Sequence, residues 1–88
     1  MEHANYYSIL TADVRYDKRL KPNEKLLFSE ITALSNKQGY CNASNNYFAQ
    51  LYDVTNVTVS NWVNHLKDCG YIDVEMIYDG KQFKERRI

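Results

Sequence analysis

Between Asn45 and Leu66 the chain reads NNYFAQLYDVTNVTVSNWVNHL, and its apolar residues fall into two helical stripes separated by a break. With Asn45 as first position, Phe48, Tyr52, Val54, Val59 and Trp62 stand where two short helices joined by a tight turn must pack on each other. Ala49 is the small residue at their crossing. Asp53 holds the turn position that usually falls to Gly, and Asp is one of the few other residues that enter the left-handed region. Thr55 is placed to N-cap the second helix. At 100° per residue, Val59, Trp62, Val63 and Leu66 make one apolar stripe. Val57, Asn61, Asn64 and Asp68 point the opposite way, with Asn56 near the cap and Ser60 on the flank.

The rest of the chain supplies a body for this pair. Ile9 and Leu10 form a small apolar anchor, and Thr11 can cap a short turn through Ala12, Asp13 and Val14. In RYDKRLK, residues 15–21, Tyr16 and Leu20 are expected to turn inward. Pro22 suits the first turn of a helix, where its missing N–H costs nothing, and Glu24 there complements the helix dipole. Leu26, Leu27, Phe28, Ile31, Ala33 and Leu34 cover a wide arc, which predicts a central core helix ended by Asn36 to Gly39. Glu30 projects within that arc and needs partners if buried. Tyr40 and Cys41 can form a short strand, and Ser44 caps the next helix.

Gly70 is a helix stop, and Asp79-Gly80 signals a two-residue hairpin. A type I′ turn there sets Met76 opposite Phe83, Glu75 opposite Lys84 and Asp73 opposite Arg86, giving cross-strand charge pairs. Three helices followed by a hairpin predict an α+β winged helix, with the strand at Tyr40 completing a three-stranded sheet. Residues 1–10 read as a lead-in and 11–88 as the domain.

Composition narrows the function classes. Eighty-eight residues, 44% of them apolar, with three Gly and one Pro, make one folded domain. No apolar run is long enough to span a membrane, and MEHANYYSIL has neither the basic start nor the apolar core of a secretory signal. Cys41 and Cys69 read as free thiols of a cytosolic protein. His3 and His65 lack metal-ligand spacing to either Cys, so neither metal nor cofactor is expected. Nor is an enzyme, since no nucleophile–base pair or phosphate loop is in view. The net charge is zero, with 11 basic and 11 acidic residues. Cations still cluster at both ends: Arg15, Lys18, Arg19, Lys21 and Lys25 early, and Lys81, Lys84, Arg86 and Arg87 late.

VRYDKRLKPNEKLLFSEITAL (14–34), GYCNASNNYFAQLY (39–52) and TVSNWVNHLKDCGYI (58–72) together resemble the winged helix-turn-helix domain at the N-terminus of plasmid and phage replication initiators, the RepA-type and replisome-organiser proteins. The resemblance spans about residues 6–88. It implies binding of double-stranded origin DNA, often as a dimer, with replication proteins recruited by a further domain. Where such relatives commonly carry Lys or Arg at the start of the third helix, this chain has Asn56 and Val57, and Asn61 stands where Arg often precedes the Trp.

On these grounds the expected DNA contacts are Asn56, Val57, Ser60, Asn61 and Asn64 in the major groove. Thr58 and Tyr47 are expected on the backbone, and Lys81, Lys84 and Arg86 on the wing. Tyr6, Tyr7 and Ile9 are the expected homodimer contact. Two other readings stay open: a small transcriptional regulator, and a protein-interaction winged helix that bridges replisome components.

Overall fold

The computed structural model describes residues 8–36 and 38–88; the expected contacts Tyr6 and Tyr7 lie outside them. Four helices precede a hairpin: α1 (Ala12–Arg15), α2 (Pro22–Ser35), α3 (Asn45–Tyr52), α4 (Asn56–Asp68), β1 (Glu75–Asp79) and β2 (Gln82–Arg87). This is the α+β winged helix-turn-helix architecture. No helix among the described residues is long and apolar enough to cross a membrane.

Local chemistry sets the helix ends. Thr11, Ser44 and Thr55 each N-cap a helix, accepting from the backbone N–H three residues on. Each thereby satisfies one of the amides that a helix start leaves unpaired. Asp53 closes α3 in the left-handed region at φ 55° and ψ 52°, and the Val54 N–H returns to the Ala49 carbonyl at 2.9 Å. Just past the end of α4, Gly70 turns the chain at φ 84°, and Gly70 and Tyr71 donate to the Lys67 and Leu66 carbonyls. That paired closure satisfies two orphan carbonyls at once.

The core joins α2, α3 and α4 around Leu27, Ile31, Phe48, Val59, Val63 and Leu66. Trp62 is buried and meets the Tyr52 ring edge-on at 6.0 Å. Val14 of α1 and Leu20 complete it. Tyr16, expected inside, is 71% exposed. Two residues apart in a helical turn means about 200° of rotation, so burying Val14 turns Tyr16 outward. Leu26 is also half-exposed, because the apolar arc of α2 is wider than the helices packed on it can cover.

The buried carboxylate is Glu24, only 2% exposed, whereas Glu30 is half-buried. Glu24 Oε1 accepts from the Lys21 N–H at 2.7 Å, and its Oε2 accepts from His65 Nδ1, also at 2.7 Å. One side chain thus caps α2 and fastens it to α4.

The wing forms in a different register from the one expected. Asp79 pairs with Gln82 and Tyr78 with Phe83, so the turn is Gly80-Lys81 and not Asp79-Gly80. A type I′ turn needs positive φ at both central residues; here Gly80 alone has it, at 65°. That is the demand of a type II′ turn, with Gly first. The ladder then slips at Ile77/Tyr78, leaving Lys84 as the extra residue of a bulge, and Met76 faces Arg86. The expected Glu75–Lys84 and Asp73–Arg86 pairs therefore do not form. Nor does the third strand extend into a sheet. It contracts to one reciprocal pair, Cys41 N–H to Ile88 O at 3.2 Å and Ile88 N–H to Cys41 O at 2.8 Å.

Glu24→Ala is expected to lower the unfolding free energy by about 1.5–3 kcal/mol, the worth of a hydrogen bond to a charged group. A double-mutant cycle with His65→Ala, read from denaturant midpoints, should give a coupling above about 0.5 kcal/mol. Additive losses would mean that the two side chains stabilise the fold separately.

Candidate nucleic-acid interface

The outward face of α4 is uncharged over its first two turns. Asn56, Asn61 and Asn64 are exposed, and Val57 is 70% exposed. Behind them Val59, Trp62, Val63 and Leu66 are buried, so the outer side chains ride on a helix whose rotation is fixed. Ser60 and Thr58 are half-buried on the flanks. The Thr58 hydroxyl sits 3.0 Å from that of Thr55, so it belongs to the cap as much as to the surface.

Tyr47 does not fit the role expected of it. Its hydroxyl is buried with no hydrogen-bond partner among the described residues, and its ring stands edge-on to Phe48 at 5.4 Å. Burial, with Glu30 nearby, raises its pKa. A hydroxyl in that position cannot reach a phosphate. Tyr52, the other tyrosine of α3, is pushed up to about 12 by burial and donates to the Leu26 carbonyl at 3.3 Å.

Hydrogen bonding sorts the cations into two kinds. Arg86 is half-buried and donates to Asn45 Oδ1 at 2.7 Å and to the Ala43 carbonyl at 2.9 Å. It is a strut between the wing and the start of α3, and burial pulls its pKa down. Arg87 is taken by Glu85 at 2.7 Å and lies 4.3 Å over the Tyr40 ring. Arg19 grips Asp17 through three bonds of 2.6–3.2 Å, and the Tyr71 hydroxyl donates to the same carboxylate at 2.7 Å. These bonds hold the Asp17 carboxyl well below the usual range. Lys25 donates to the Arg15 carbonyl at 2.7 Å. Among the described residues, the side chains of Lys18, Lys21, Lys67, Lys81 and Lys84 are exposed and make no ion pair or hydrogen bond.

Position separates these lysines further. Tyr71, just past the end of α4, anchors the loop that carries Lys18 and Lys21. That puts the early basic segment at the far end of α4 from Asn56. Lys67 instead shares a groove of about 230 Å³ with Ser60, Asn64, Asn45, Met76 and Arg86. It follows Asn64 by three residues, the spacing that sets side chains next to each other on a helix, so the wheel that exposes Asn64 also exposes Lys67. Lys81 stands at the hairpin tip, and Lys84 sits at the bulge, where local geometry re-aims a side chain.

The family described as helix-turn-helix domain matches residues 18–72, more than half of the chain. The match ends just before the hairpin begins and takes in both helices of the motif. No curated protein and no solved structure matches the chain.

Removing a strut and removing a free cation should differ in stability. Arg86→Ala is expected to cost about 1.5–3 kcal/mol, because it unties two bonds and leaves Asn45 Oδ1 unpaired. Lys84→Ala should stay within about 0.5 kcal/mol of wild type. Thermal or denaturant unfolding of the two variants measures the difference, and equal stabilities would contradict the assignment of Arg86 as a strut.

Proposed function

The chain belongs to the helix-turn-helix domain family, and from that premise we propose that α4 enters the major groove of double-stranded DNA and reads its sequence. What carries the proposal is the exposed, uncharged edge of Asn56, Val57, Asn61 and Asn64 on the second helix of the motif. Asn can bond an adenine edge bidentately, and an aliphatic side chain such as Val57 can pack on a thymine methyl. Guanine is the preference of Arg and Lys, which this edge lacks, so the preferred site is A·T-rich. Lys67, Lys81 and Lys84 hold phosphates on the wing side of α4, fixing orientation without reading bases. Lys18 and Lys21 serve the far end.

Within DNA binding, the setting we propose is a plasmid or phage replication origin, occupied as a homodimer on repeated sites and joined there by replication proteins. The support is the resemblance over about residues 6–88 set out above, together with the short reach of a single reading helix. A transcriptional regulator would use the same edge and the same lysines. The DNA beside the gene decides between the two.

Binding-site selection with wild type, Asn61→Ala and Asn64→Ala tests the reading. Each variant is expected to lose about 1–3 kcal/mol on its preferred site and to relax the preference at one base. Lys81→Ala with Lys84→Ala should instead weaken all sequences alike and reduce the salt slope by about one unit per contact. If both Asn variants keep wild-type affinity and preference, α4 does not read DNA, and a protein-binding winged helix takes its place.

A further inference from the structure

The wing carries an apolar face that the fold does not bury. Met76, Tyr78 and Phe83 are 50%, 58% and 53% exposed. Tyr78 and Phe83 are cross-strand partners, their rings edge-on with centroids 5.8 Å apart. The bulge at Lys84 is what gathers this face. Phe83 and Arg86 are three residues apart, and in an unbroken strand they would point to opposite sides. One extra residue brings both round to the side of Met76 and Tyr78. A two-stranded hairpin is marginal by itself, yet this one spends its largest side chains on the surface. Exposed apolar patches of that kind mark a contact.

Its position says with what. The ring face forms one wall of a groove of about 730 Å³, and Asn42, Ala43, Ser44 and Asn45 form the other. Asn45, Met76 and Arg86 also border the smaller groove that reaches Ser60, Asn64 and Lys67. The two grooves therefore adjoin across the Arg86–Asn45 bond, one reaching the amide edge of α4 and the other the aromatic face of the wing. Its rim is basic, with Lys67 at one end and Lys84 at the other. Glu85, at the edge of the larger groove, is already paired with Arg87. Arg86 holds the base of the wing to Asn45, so the rings keep a set position relative to α4. A surface that is basic at its rim, apolar along the wing and adjacent to a DNA-reading helix suits a polyanion with hydrophobic sugar and base faces better than a second neutral chain.

We infer that the Tyr78/Phe83 face enters the minor groove beside the base pairs read by α4, packing its rings on deoxyribose and on a partly unstacked base step, so that the protein bends its DNA. The inference rests on the DNA reading above and adds to it a ligand contact that is apolar and not ionic. Apolar side chains wedged into a minor groove kink duplexes by about 20–90° toward the major groove. Flexible pyrimidine–purine steps bend at the lowest cost, so a TA or CA step is expected at a fixed distance from the A·T-rich core of the site.

The test uses the duplex recovered by wild-type selection, end-labelled for energy transfer, at four salt concentrations. The variants are Tyr78→Ser with Phe83→Ser, Phe83→Tyr, and Lys81→Ala with Lys84→Ala. The double Ser variant is expected to bind at least about 10-fold more weakly, within the range that loss of base–aromatic stacking produces. Its salt slope and its base preference should stay those of wild type, and the bend should be lost. Phe83→Tyr should keep the bend, which separates loss of the rings from damage to the hairpin. The lysine variant should flatten the salt slope and keep the bend. A wild type that binds its selected site without bending it overturns the inference and leaves the DNA reading intact. So does a double Ser variant with unchanged affinity. So does a wild-type dimer, seen by sedimentation without DNA, that the double Ser variant dissociates, for the face would then hold a second copy. A wild type that selects no duplex at all removes the DNA reading itself.

Discussion

Val59, Trp62, Val63 and Leu66 form the stripe on which both halves of the molecule's surface depend. Packed against α2 and α3, these four side chains fix how far α4 is rotated about its own axis. Burying a residue of this size is worth roughly 1.5–3 kcal/mol, so turning α4 to present another face would forfeit several such terms at once. The stripe therefore decides which residues water meets. Asn56, Val57, Asn61 and Asn64 are outside because Trp62 and Val63 are inside. Glu24 supports the same choice from α2 by holding His65, on the flank of the stripe.

Cations do not count equally. The formal balance of 11 basic and 11 acidic residues suggests a surface without polarity, but the bonds divide it unevenly. Arg19, Arg86 and Arg87 are absorbed by Asp17, Asn45 and Glu85. What remains unspent beside the amide edge is lysine. Lysine on a flexible stem screens phosphates without demanding a geometry, while planar arginine suits fixed forks. The chain uses each accordingly: arginine for internal struts, lysine for the rim.

The motif was legible in the sequence because its determinants are local. A cap acts over three residues, the Asp53 turn over one, and the α4 stripe repeats within a few turns. The wing was legible as a hairpin but not in its register, since the choice between turns at 79–80 and 80–81 depends on which residue must take a positive φ. Asp79 is spared by moving the turn one place onto Gly80. The other misplacements share a cause in distance along the chain. Glu24 finds His65, and Arg86 finds Asn45, each across 41 residues. No periodicity announces such partners, so the sequence points to Glu30 as the acid within the core arc and sets Arg86 opposite Asp73 on the wing. Tyr47 is a similar case: its hydroxyl is buried within the electrostatic reach of Glu30 on α2, a neighbour that the wheel of α3 does not contain.

The attachment of the wing has a mechanical side. At its base it is clamped by the Cys41–Ile88 pair, by Arg86 on Asn45 and Ala43, and by Arg87 over the Tyr40 ring. From Tyr78 to Phe83, at the turn end, the strands are held by their own ladder. Such an element is a cantilever: a load at Lys81 deflects the tip most and the clamp least, and the arc grows with each residue toward the turn. Compliance is thus graded along the hairpin, stiff where it adjoins α4 and soft where it reaches farthest. A probe of that kind can follow a groove of varying width while the reading helix at its root stays still.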